Sequence, residues 1–101
     1  MEKFGILALL QAKPGKEATV EEFLKSAQPL AMQEEGTIRW YAFKTGPLTF
    51  GIFDTFADEK GRAAHLNGEI AKALMASAEE LLATSPRIEM LEILASKPSK
   101  V

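Results

Sequence analysis

His65 is the only histidine in the sequence and the only side chain whose ordinary pKa lies near neutrality, so a proton transfer near pH 7 falls to it first. No oriented partner is visible beside it, and the plainer reading is a packing histidine near the end of a helix. Trp40 and Tyr41 are adjacent on an extended segment and therefore point to opposite faces of it. An aromatic that faces the helices can stack on a flat substrate, although filling core volume is the plainer role for each. Phe43, Phe50, Phe53 and Phe56 carry the same two readings. Asp54 lies mid-strand among apolar neighbours, which is costly unless the carboxylate is paired. Arg39 on the adjoining strand is its expected partner, with orientation of His65 as the second role. Met75 is a gap-filler on an apolar helix, or a flexible wall for a pocket that takes flat rings.

Other chemistries are excluded by what is absent. There is no cysteine, so disulfides and thiolate nucleophiles are out. A single histidine argues against a multi-histidine metal site within one subunit, and no Gly-rich dinucleotide fingerprint is present. The expectation is a protein with no metal and no cofactor. Net charge is −2 and the basic residues are scattered, which leaves no stripe to neutralise phosphates and argues against nucleic acid. The apolar run at residues 6–10 is too short for a signal segment or a membrane span, so a cytoplasmic location is expected.

These side chains need a scaffold, and 101 residues make one domain, residues 1–101. Residues 3–12 read as a strand apolar at both parities, closed by Lys13, Pro14 and Gly15. From Lys16 the period turns helical, with Val20, Phe23, Leu24, Ala27 and Ala31 on one side. Pro29 predicts a kink or break near Gln28. Residues 37–45 and 48–56 form a hairpin around Gly46 and Pro47. Asp58 caps a short helix at 59–66, Asn67 and Gly68 interrupt it, and a second helix runs over 69–84. Pro86 ends that helix, residues 87–95 form a last strand, and a polar tail continues from Ser96.

This order predicts an α+β, ferredoxin-like βαββαβ fold, an antiparallel sheet with its helices on one face. The other face would be left open and apolar, which monomers rarely tolerate. Face-to-face pairing of two sheets removes the exposure, so a homodimer is expected on physical grounds alone.

The segment Ala12 to Glu17 resembles the strand end and helix start of antibiotic-biosynthesis-monooxygenase domains. Glu35, Gly36 and Thr37 leading into an aromatic strand resemble them too, as does the third strand running through an acidic turn to Ala64, His65 and Leu66. The resemblance spans nearly the whole chain. It implies a dimeric α+β barrel with a pocket between sheet and helices in each subunit. The family's activities include cofactor-free oxygenation of anthrones and quinols, haem degradation and isomerase-like chemistry. Its haem-degrading branch uses an Asn, a Trp and a His at positions that fall, without gaps, on Ala8, His65 and Met75. None of the three matches, so haem degradation is not expected. The comparison does place Ala8, His65 and Met75 near the pocket wall. Phe56 stands where many relatives carry Trp, and Trp40 where many carry Tyr.

The resemblance thus implies a cofactor-independent monooxygenase acting on an electron-rich aromatic, with His65 catalytic and Trp40, Ala8, Met75 and Asp54 around the substrate. The rival is a non-catalytic dimeric module that binds a small hydrophobic metabolite or stabilises a partner.

Overall fold

The computed structural model describes residues 1–97. It contains β1 (Phe4–Gln11), α1 (Glu17–Met32), β2 (Thr37–Lys44), β3 (Thr49–Phe56), α2 (Glu59–Leu66), α3 (Glu69–Leu81) and β4 (Arg87–Glu92). The strands form one antiparallel sheet in the order β2-β3-β1-β4. This is the α+β, ferredoxin-like arrangement expected from the element order. The end of the expected tail, residues 98–101, lies outside the described residues.

The turn after β1 is closed by a hydrogen bond from the Lys16 N–H to the Lys13 carbonyl. Gly15 holds φ +90° there, a conformation that favours glycine. Helix α1 does not break at Pro29 but continues to Met32. Proline removes one backbone donor, yet the turn around it buries Ala27 and Ala31 against Ile70 and Trp40. That packing sustains the helix. Helix α2 starts as expected, with the Asp58 side chain accepting from the Gly61 N–H at 2.8 Å.

Helix α3 stops at Leu81, three residues short of the expected Thr84. Leu82 turns extended and bridges to Ala12, and the Ala83 N–H donates to the Gln11 carbonyl, so the end of β1 captures this segment. Strand β4 ends at Glu92, short of the expected Ala95, because its partner β1 begins opposite, at Phe4.

Period 2 sorts the strand side chains. Ile6, Ala8 and Leu10 of β1 and Phe50, Ile52, Asp54 and Phe56 of β3 lie on the helix side and are buried. Val20 and Leu24 of α1 and Leu74 and Leu81 of α3 complete this core. The opposite face carries Leu7, Leu9, Tyr41, Phe43 and Phe53 with no helix over it, and Tyr41 stacks on Phe53 with centroids 6.4 Å apart. Among the described residues, no helix is long and apolar enough to cross a membrane.

Candidate functional site

The register pairs Trp40 of β2 with Asp54 of β3, so both side chains rise from neighbouring strands on the helix side of the sheet. Asp54 is 0% exposed. A buried carboxylate in an apolar sheet needs a counter-charge, and α2 delivers it. His65 Nε2 stands 2.8 Å from Asp54 Oδ2, and the other ring nitrogen, Nδ1, stands 2.6 Å from Glu34 Oε1. Glu34, in the connection between α1 and β2, also accepts from the Thr37 hydroxyl at 2.8 Å. The Phe56 ring packs beside the imidazole with centroids 5.4 Å apart.

The result is a carboxylate–imidazole–carboxylate unit, buried at Asp54 and His65 and half-buried at Glu34, that joins three parts of the chain. Burial alone would pull the His65 pKa down. The Asp54 carboxylate outweighs it, with Glu34 adding to the effect, and together they raise the value from 6.5 to about 8. His65 is therefore mostly an imidazolium at neutral pH. The two carboxylates take opposite nitrogens and do not converge on one point. Among the described residues, no group of three or more His, Cys, Asp or Glu side chains is placed to hold a metal ion.

The close contact between His65 and Asp54 is an ion contact rather than an aligned hydrogen bond. Both Asp54 oxygens, together with Trp40 Nε1, are buried polar atoms without a hydrogen-bond partner. Native structures hold few such atoms, and each needs a physical account.

Two hollows run along the seam between α1 and β2, and a third continues from the α1–β2 connection to α2. The largest, about 560 Å³, has Leu24, Trp40, Ala42 and Phe50 along its walls. A smaller one of about 220 Å³ shares Trp40 with it and reaches Thr37. Thr37 is shared in turn with a groove of about 400 Å³ that ends on Glu34 and His65. In that groove Gly36 packs directly on Gly61, where an added Cβ would meet the Gly61 Cα at 2.8 Å.

The structure thus brings together His65, Asp54 and Trp40 of the residues singled out in the sequence. Ala8 is buried on the same side of the sheet, two strands from Trp40. Met75 is not with them. It is 62% exposed on α3 and borders a separate hollow beside Lys13 and Thr84, because the core-facing stripe of α3 passes through Ile70, Leu74 and Leu81. Arg39 does not pair with Asp54 either. It lies opposite Thr55, one residue out of step, and meets Glu2 at 3.4 Å. Glu34 was missed in the sequence, since nothing in an acidic pair before Gly36 marks which carboxylate will meet a histidine 31 positions later.

A ferredoxin-like α+β fold with a buried histidine between two carboxylates defines the class. A protein of unknown function from Nitrosomonas europaea matches it with a TM-score of 0.96 and 55% identity, over 100% of this chain and 98% of that one. The chain belongs to the same family as that protein. Two more distant structures share the fold. One is a candidate antibiotic biosynthesis monooxygenase from Nitrosomonas europaea, with a TM-score of 0.82 and 15% identity over 92% of this chain and 91% of that one. The other is a candidate of the same description from Caulobacter crescentus, with a TM-score of 0.78 and 22% identity over 93% and 92%. No family model and no curated protein matches the chain.

Proposed function

We propose that this protein binds a planar, electron-rich aromatic compound between α1 and β2 and oxygenates it without a cofactor, with an anthrone or quinol as the substrate type. One observation carries the reading: the wall of the largest hollow is an indole whose buried N–H has no acceptor. An unpaired buried donor costs about 1–3 kcal/mol, which a small turn of the ring that opens its edge to a ligand oxygen in the hollow would recover. The hollow, at about 560 Å³, is of the size that small-molecule sites use. The candidate monooxygenases that share the fold support the same reaction class.

Triplet dioxygen reacts slowly with a closed-shell substrate unless that substrate first gives up one electron, which a phenol or anthrone does once deprotonated. For an anthrone the overall change is balanced without further reagents. The ring CH₂ becomes C=O with one oxygen atom of O₂, and the other leaves as water with both hydrogens. Proton removal falls to the Glu34, His65 and Asp54 unit. Because His65 holds its proton until about pH 8, it accepts one only above that pH.

One observation favours the rival reading of a non-catalytic module binding a small hydrophobic metabolite. Both His65 nitrogens are already held by carboxylates, and His65 borders a different hollow from the one Trp40 shares with Phe50. An oxygen electrode with a panel of anthrones and quinols separates the two. The oxygenase reading expects uptake above autoxidation that rises as pH passes through about 8, and His65→Ala lowering it by roughly 10²-fold. Binding of the same compounds without uptake makes the module the better account.

A further inference from the structure

The mouth of the hollow beside Trp40 carries charges that the proposed aromatic chemistry does not use. Lys25 and Gln28 line it from α1 and Lys44 from the edge strand β2, with Glu21 between the two lysines. Glu21 Oε2 stands 3.1 Å from Lys25 Nζ, and Glu21 Oε1 stands 3.6 Å from Lys44 Nζ. The Lys44 ammonium also stands 5.6 Å from the centroid of Phe50, which forms part of the floor. One carboxylate faces two ammonium groups, so the rim keeps one positive charge in excess. The hydrogen bond from Lys25 and the charges of Lys25 and Lys44 hold the Glu21 carboxyl below its ordinary pKa, so it stays ionised and the excess stays at one across the neutral range.

We propose that the ligand of this hollow is an aromatic monoanion, such as a hydroxylated aromatic carboxylate. Its ring lies along Trp40 and Phe50, and its carboxylate meets Lys25 and Lys44 at the rim. The inference rests on the reading of the hollow as an aromatic site and adds the charge of its occupant. Physical economy favours the arrangement. Apolar walls bury the ring, while the anion stays at the wet edge, where its desolvation is small. The surplus ammonium charge attracts anions over cations and neutral compounds. Glu21, by competing for both lysines, sets how strong that preference is.

The test is calorimetric titration with 1-hydroxy-2-naphthoate and with its neutral methyl ester, at low salt and near pH 7. Wild type is expected to bind the acid roughly 10-fold tighter than the ester, with the advantage shrinking in about 0.5 M salt. Glu21→Gln raises the surplus to two charges and is expected to tighten the acid by roughly 3- to 10-fold while leaving the ester unchanged. Lys25→Gln with Lys44→Gln leaves Glu21 alone at the rim, and the preference then reverses towards the ester. All of these positions are partly exposed, so circular dichroism can confirm that each variant folds. Equal binding of acid and ester by wild type, or no change in Glu21→Gln, overturns the anionic ligand while the aromatic site stands. No binding of either compound overturns both.

Discussion

Nε2 of His65, on α2, stands 2.8 Å from Oδ2 of Asp54, in the middle of β3. The contact makes stability depend on pH with a definite sign. Folding raises the His65 pKa from 6.5 to about 8, so the stabilisation is fully present below 6.5 and is lost as pH rises through 8. It is worth about 2 kcal/mol at most, since solvent reaches the Glu34 side and screens that half of the unit. Urea unfolding at pH 6 and pH 9 should therefore differ by about 1–2 kcal/mol in favour of pH 6. His65→Gln should remove the difference, and a flat profile in wild type would show that the unit holds no net charge energy.

Neutralising Asp54 should reverse the balance that keeps His65 charged. His65 is the only histidine, so its ring resonances in proton NMR can be followed through a titration without assignment ambiguity. Wild type should titrate near 8, and Asp54→Asn should bring the midpoint down, because the largest favourable charge is gone while burial remains. Glu34 still faces the ring and the imidazole can give up its proton, so Asp54→Asn should also lower stability at pH 6, by about 2 kcal/mol or less. An unmoved midpoint in a folded variant would assign the raised pKa to Glu34 alone.

How much of the site was legible in the sequence depends on the kind of signal each part leaves. Apolar and β-branched runs, helical period, and turn and cap residues placed the strands and helices, and adjacency alone put Trp40 and Tyr41 on opposite faces. The cost of an isolated buried charge marked Asp54 as needing a partner, with Arg39 the first candidate and His65 the second. Which partner it took depended on strand register. A bulge between Thr37 and Arg39 shifts β2 so that Trp40, not Arg39, lies across from Asp54. Local propensity carries no trace of such a shift. The run of α1 through Pro29 was hidden for a related reason, since the packing that sustains it comes from Ile70 and Trp40, both distant in sequence.

Glycine positions give a third prediction, drawn from what surrounds each one. An added Cβ at Gly36 would sit 2.8 Å from the Gly61 Cα, which is backbone and cannot rotate away. At Gly51 it would sit 2.3 Å from the tip of the Phe43 ring, which can move, and 3.0 Å from the Ala8 carbonyl oxygen, which cannot. Overpacking costs about 1–3 kcal/mol, so Gly36→Ala should fall at the high end and also disturb the His65 groove that Gly36 and Gly61 border. Gly51→Ala should be partly rescued by adding Phe43→Ala, with the Ala8 carbonyl still close, whereas Gly36→Ala has no comparable side-chain rescue. Thermal unfolding of the three variants measures the contrast.

The uncovered sheet face supplies the last prediction. Leu7, Leu9, Phe43 and Phe53 are only half-buried there and Tyr41 is 51% exposed, with no helix on that side. Their positions on three adjacent strands make the apolar surface continuous, of the kind that monomers rarely leave open. A second copy is the occupant that needs nothing further, because the sheet presents the same face to its twin and a two-fold pairing is self-complementary. Light scattering coupled to size exclusion, at micromolar concentration, should report a mass twice the 11.0 kDa of one chain. Phe53→Glu places a charge beside Tyr41, at the centre of that surface, and should shift the protein to monomer. The His65 unit lies on the other side of the sheet and should keep its NMR midpoint in that variant. A wild type that elutes at the mass of a single chain would rule out the sheet-to-sheet barrel and leave the apolar face to some other partner.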